Sequence, residues 1–170
     1  MSTDNLNNQD SQGARNAPPV ISHLLRREIQ APIAACLIRG FAQAFGRDRA
    51  MEAAIAAIRA DALETGRVTA VKYGSNSMRD LGRVVREIWA EDNAIVIRML
   101  EESEKELSFD VIRCGYVELY EAMGMKELGY CLSCCRDESF ASGFNPRIRM
   151  VRTGTIMEGA PHCDFRFTLE

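Results

Sequence analysis

The sequence predicts an α+β fold: N-terminal helices packed on an antiparallel sheet of about four strands, with two helices inserted between hairpins. Three observations predict it. Apolar residues recur at helical spacing from Val20 to Trp89. After Asp92-Asn93 the period changes to two, over Ile95, Ile97 and Met99 and again over Leu107, Phe109 and Val111. Two more strand-like runs follow a second helical stretch near the C-terminus.

Residues 1–19 are rich in Asn, Gln, Ser and Asp, and Leu6 is their one large aliphatic besides Met1. Such a tail buries too little to offset its ordering entropy, so it is expected to be disordered or bound to a partner. Residues 20–170 are expected to form a single domain. In its first helix Leu25, Ile29, Ile33, Leu37 and Phe41 recur every four residues, an apolar stripe read as core packing. Pro32 should break or kink it near Gln30, and Gly46 ends it. A second helix runs from Asp48 to about Leu63 with Met51, Ile55, Ile58 and Ala62 in phase. It ends at Gly66 or extends by a turn or two over Val68 to Tyr73.

Ser77 with Asp80 resembles a capping box and opens a third amphipathic helix on Met78, Leu81, Val84, Val85, Ile88 and Trp89. A hairpin follows, its second strand ending at Cys114. Gly115 opens a short helix closed by Gly124, and another helix is expected over roughly 125–140. Strands are then expected over Ile148–Met157 and Cys163–Leu169.

A chain 46% hydrophobic and 26% charged with net charge −3 is ordinary for a soluble globular protein. No basic patch points to nucleic acid, and no apolar run is long enough to cross a membrane. Without a secretory leader pattern at its N-terminus, the chain reads as cytoplasmic. Its six cysteines then read as thiols, ligands or catalytic groups rather than a disulfide framework.

Four of those six cysteines fall after Leu128. Tyr130, Cys134 and Asp137, at i, i+4 and i+7, share one face of the expected helix, apart from the Leu128/Leu132/Cys135 stripe. On the last strand Cys163, Phe165, Phe167 and Leu169 point one way and Asp164, Arg166 and Thr168 the other. Helix packing on the first face would bring Cys134 and Cys163 together with Asp137 beside them. Three readings compete. A cysteine acts as nucleophile or acid/base group tuned by Asp137 or His162. Alternatively Cys134 and Cys163, with one or two of Cys114, Cys131, Asp137 and His162, hold zinc. In the third, the cysteines are small buried hydrophobes. Arg152 is either a solvent-facing strand charge or a partner for Asp137 or a substrate carboxylate. His23 reads as a surface residue.

The segments CCRDESF, FNP, RTGTIMEG and CDFRF, in this order, resemble the C-terminal signature of the L-2-amino-thiazoline-4-carboxylic acid hydrolase family. Cys134 and Asp137 fall on its Cys-x-x-Asp, Arg152-Thr153 on its Arg-Thr, Gly159 on a turn glycine and Cys163-Asp164-Phe165 on its Cys-Asp-Phe. Cys114 matches a further recurrent cysteine. The doubled Cys134-Cys135 and His162 depart from the pattern. The resemblance implies hydrolysis of a C–N or C=N bond in a small heterocyclic or amide-like substrate bearing a carboxylate. It implies Cys134, Asp137 and Cys163 as the catalytic core, backed by His162 and Asp164, with Arg152, Tyr130 and Cys114 on the substrate side. The expected partner is a small-molecule substrate, and a homo-oligomer is a candidate assembly. Two other classes compete: a non-catalytic sensor resembling the vinyl-reductase type, and a structural zinc domain, which would unfold on chelation.

Overall fold

The computed structural model describes residues 21–170, so the N-terminal tail lies outside it. Helix α1 (His23–Phe45) is capped by Ser22, whose hydroxyl accepts the Leu25 N–H at 3.3 Å. It runs through Pro32 without the break that is one of the two outcomes expected there. Pro32 is exposed, and it lacks the donor that would reach the Glu28 carbonyl. Gly46, at φ +90°, ends the helix. The apolar stripe is the larger correction: Leu25, Ile29, Ile33, Leu37 and Phe41 are all exposed, and α1 buries Ala31, Ala35 and Ile38 instead.

Helix α2 (Arg47–Tyr73) takes the longer of its two expected extents, running through Gly66 to Tyr73. A Cβ on Gly66 would lie 2.2 Å from the Phe140 carbonyl oxygen, and one on Gly143 would lie 2.0 Å from that of Leu63. The two glycines let α2 and α6 (Asp137–Phe144) touch backbone to backbone. Ser77 caps α3 (Met78–Val84), accepting the Asp80 N–H at 3.2 Å, and a π-helical turn over Val85–Trp89 continues the buried face.

Strands β1 (Ile95–Glu102) and β2 (Glu106–Cys114) form the hairpin. Then come α4 (Gly115–Ala122), α5 (Lys126–Leu132), a 3₁₀ turn at Cys134–Arg136 and α6. The helix expected over 125–140 is thus split at Ser133, whose hydroxyl is engaged by the Tyr120 hydroxyl at 2.8 Å. Strands β3 (Ile148–Val151) and β4 (Cys163–Leu169) complete an all-antiparallel sheet in the order β1-β2-β4-β3.

β3 is shorter than expected because the Asp164 carboxylate pulls the following loop off the ladder. It accepts the Thr153 and Gly154 N–H groups, each at 2.9 Å, and the Thr153 hydroxyl at 2.8 Å. The α+β architecture stands: helices cover one sheet face. The other face carries a polar row in which Asp110 accepts from Arg98 at 2.7 Å and Arg166 at 2.8 Å.

Burial falls into two clusters. One packs the aromatic face of β2 and β4 against α2, α3 and α6. The other joins α1, α4 and α5 through Ala31, Ala35, Tyr120, Leu128 and Cys131. Cys114, Tyr116 and Ile156 pack against both clusters and mark the seam between them.

Candidate active site

Three chain breaks meet at that seam. Cys114 ends β2 and sits at the N-cap of α4. Cys134 and Asp137 flank the 3₁₀ turn between α5 and α6. Cys163 opens β4 on its inner face, its sulfur accepting the Ile156 N–H at 3.2 Å. The three sulfurs are close enough that Cys134 feels Cys114 and Cys163, and Cys163 feels Cys114. Strand alternation alone fixes that Cys163 faces inward while Asp164 faces out.

Arg152 locks the group from the β3–β4 connection. One guanidinium nitrogen donates to the Asp137 carboxylate and the other to the Cys134 carbonyl at 3.0 Å. Its Cζ stands 5.0 Å over the Phe165 ring. With the Arg152 side chain 8% exposed and that of Asp137 21% exposed, this is a buried ion pair rather than a surface one. Of the roles read for Arg152 from sequence, its geometry shows the partner of Asp137 rather than a solvent-facing charge.

Burial dominates the electrostatics. It pushes the Asp137 carboxyl above its ordinary range, against the pull of Arg152, Arg136 and Arg27. Burial, then the neighbouring Asp137, pushes the Cys134 thiol far above its usual value. Burial also raises Cys114, and lifts Cys163 to about 11 despite its bond from Ile156. All three thiols therefore keep their protons at neutral pH. Any nucleophilic role requires a neighbour to take the proton during reaction.

A cavity of about 280 Å³ opens over Cys134, lined by Tyr130, Cys135, Arg152, Glu138 and, from α2, Arg59. This is at the small end of ligand pockets, which run to roughly 300–1,000 Å³ for drug-sized molecules. Among the described residues Arg59 makes no ion pair.

Other polar groups reach the seam from α1. His23, read from sequence as a surface residue, bonds the Tyr116 hydroxyl through Nδ1 at 2.8 Å. Burial, then Arg27 and Arg136, lowers its pKa to about 4. Half-buried Arg27 acts electrostatically on Asp137 and Tyr116. The sequence does hold a signal for both: His23 and Arg27 are in phase with Ala31 and Ala35, the small-residue face that α1 buries.

His162 and Asp164 stand apart from the cluster, on the polar side of the sheet. His162 Nε2 is 3.9 Å from Asp110, and Asp164 holds the loop that carries Arg152. Burial opposes ionisation of Asp164, but the bonds from Thr153 and Gly154 outweigh it and hold its carboxyl below the usual range. Cys131 is buried in the helical cluster, where the Cys135 thiol donates to its carbonyl at 2.9 Å. Among the described residues no group of three or more His, Cys, Asp or Glu side chains is arranged to hold a metal ion. No described helix is long and apolar enough to cross a membrane.

Among curated proteins none matches the chain. Among solved structures, a trafficking protein particle complex subunit 3 from Naegleria fowleri, covalently bound to palmitic acid, is similar at 13% identity. The match covers 86% of this chain and 96% of that one, with a TM-score of 0.47. The family model for L-2-amino-thiazoline-4-carboxylic acid hydrolase matches residues 26–167, which takes in every side chain of the seam except His23, and the chain belongs to that family.

Proposed function

We propose that the protein hydrolyses a C–N or C=N bond of a small carboxylate-bearing heterocycle or amide-like compound, with Cys134 as nucleophile and Asp137 as its proton partner. The observation that supports this is that Cys134 and Arg152 line a small cavity, with Asp137 held behind them by Arg152. Asp137 raises the Cys134 thiol, so a thiolate and a carboxylate side by side are disfavoured, and the pair carries one proton between its two groups. Arg152 balances the remaining negative charge, whichever atom holds it.

In the reaction the Cys134 sulfur bonds to an amidine-like carbon, and the C=N electron pair moves onto nitrogen. The thiol proton reaches that nitrogen by way of Asp137. Collapse breaks one C–N bond, expels an amine and leaves a thioimidate on Cys134. Water then adds to that carbon, the C–S bond breaks, and the thiol regains a proton. The sum is addition of one water. Arg59, at the cavity rim, is the candidate partner for the substrate carboxylate.

The test is turnover of 2-aminothiazoline-4-carboxylate and of its analogue lacking the carboxylate. Cys134→Ser should reduce kcat/KM at least 100-fold with an unchanged circular dichroism spectrum. Arg59→Ala should raise KM for the acid alone. Near-normal turnover by Cys134→Ser, or stoichiometric metal in the purified protein, would remove the thiol assignment.

The protonated state of all three thiols favours one other reading, a module that binds such a molecule without converting it. Saturable binding to wild-type protein without product would select it.

A further inference from the structure

We infer that α1 is the interface of a homodimer, its outer face packed against the same face of a second copy of this chain. Ala31, Ala35 and Ile38 point inward, and at 3.6 residues per turn Ile29, Ile33 and Leu37 point the opposite way. Ile29 is 57% exposed, Ile33 68%, Leu37 53% and Phe41 50%. Leu25 and Phe45 continue the row as it winds around the helix, and among the described residues each of the six side chains stays at least 42% exposed.

Beside this ridge runs a row of small residues at the same spacing, Cys36, Gly40 and Ala44. Gly40 lies inside the helix, where glycine is disfavoured, yet a Cβ there would meet nothing within 4 Å. Packing within the chain gives no reason for glycine; close approach of another helix does. The small row also borders a groove of about 660 Å³, lined by Pro32, Cys36, Gly40, Met123 and Met125 among others. Ridge and groove on one helix make a self-complementary surface. Two rows at i±4 spacing interdigitate when the helices cross at about −50°, and a two-fold axis would set each copy's ridge into the other's groove.

A standard protein interface buries roughly 800 Å² per partner, an area that calls for the groove as well as the ridge. Two other occupants are less suited. Residues 1–20 offer only Met1, Leu6 and Val20 as large apolar side chains, too few to cover the row. A lipid surface would call for free basic residues along the polar margin, whereas this face carries Arg26, the groove's Arg39 is paired with Glu127, and the chain is net negative.

The test is sedimentation of the full chain at micromolar concentration, with two variants. Wild type should sediment at twice the 19.0 kDa chain mass. Ile33→Glu combined with Leu37→Glu should give the single-chain mass with an unchanged circular dichroism spectrum, since both side chains are exposed. Gly40→Leu separates specific packing from general stickiness: it adds apolar surface and helix propensity but fills the groove. It should weaken dimerisation at least tenfold while raising the melting temperature of the single chain. A monomeric wild type, a dimer that survives the double glutamate variant, or tighter association in Gly40→Leu would each overturn the inference. So would a monomer that floats with anionic phospholipid vesicles, which would assign the face to lipid.

Discussion

The two buried clusters are built from different materials. In the sheet cluster Phe109 and Phe165 stack at 4.9 Å between centroids, Phe165 and Phe167 at 6.0 Å, and Trp89 stands edge-on to Phe140 at 5.5 Å. Its helices close on each other with backbone atoms in contact at Gly66 and Gly143. The helical cluster is filled by Ala31, Ala35, Cys131, Leu128 and methionines, and its one fully buried aromatic, Tyr120, is tied to Ser133 by a hydrogen bond. Aromatic stacks and backbone contact leave no slack, whereas small and flexible side chains give way. The contrast assigns most of the stability to the sheet side. It assigns adaptability to the helical side, the one that carries the exposed face of α1.

Glycine substitutions should break that contrast most sharply. Gly143→Ala forces a Cβ to within 2.0 Å of the Leu63 carbonyl oxygen, which is backbone on a long helix and cannot move alone. Destabilisation of more than about 4 kcal/mol is expected, enough to prevent folding in a marginal domain. Gly129→Ala, in the helical region, meets the Met157 sulfur at 2.2 Å, the far end of a flexible side chain. It should lose only about 1–3 kcal/mol. Equal urea midpoints for the two variants would refute the division.

Side-chain truncation sharpens the same comparison at a smaller scale. Phe167 is fully buried and stacked on two rings, so Phe167→Ala should destabilise by about 3–5 kcal/mol. Leu128, 5% exposed among methionines and small residues, should lose about 2–3 kcal/mol on Leu128→Ala because its neighbours can relax into the space. Both values are read from urea denaturation at constant slope.

Much of the sheet side is legible in the sequence. There the apolar side chains packed under the helices line one face of each strand and period two says which they are, although β2 also buries Ser108 and Asp110 on its other face. Met78, Leu81, Val84 and Val85 read equally well, because the sheet covers one side of that helix. On the helical side periodicity states which residues share a face but not what lies over it. In α1 the large stripe is exposed and the small one buried, so the rule that large apolar means core points to the wrong face. Gly66 leaves the end of α2 undecided for a related reason. A glycine in a helical run looks like a terminator unless the crossing helix, more than seventy residues later, is known.

The seam divides the same way. Cys134, Asp137 and Cys163 can be paired from β4 alternation and short-range spacing, although the helical face assumed for Cys134 and Asp137 is broken at Ser133. Arg59, His23 and Arg27 come from helices far earlier in the chain, and only tertiary packing brings them in.

The mildest test concerns His23, the one titratable group through which α1 reports its docking on the seam. Its neighbours are Arg27 on α1, Arg136 on the 3₁₀ turn and the Tyr116 hydroxyl on α4, while its backbone N–H bonds Glu91 at 3.2 Å. In the folded protein its pKa is lowered from 6.5 to about 4. Between those values the unfolded chain takes up a proton that the folded chain refuses, so stability falls as pH drops from 6.5 toward 4. Below 4 both states are protonated and this contribution changes no further. His23→Gln keeps a hydrogen-bonding group facing Tyr116 but cannot titrate. Relative to this variant, wild type should lose up to about 2 kcal/mol between pH 7 and pH 4.5. Parallel stability curves for the two proteins would mean that the imidazole is solvated and that α1 docks too loosely to exclude water. The helical side would then be softer than its packing implies, with the seam open to solvent from α1 as well as through the cavity over Cys134.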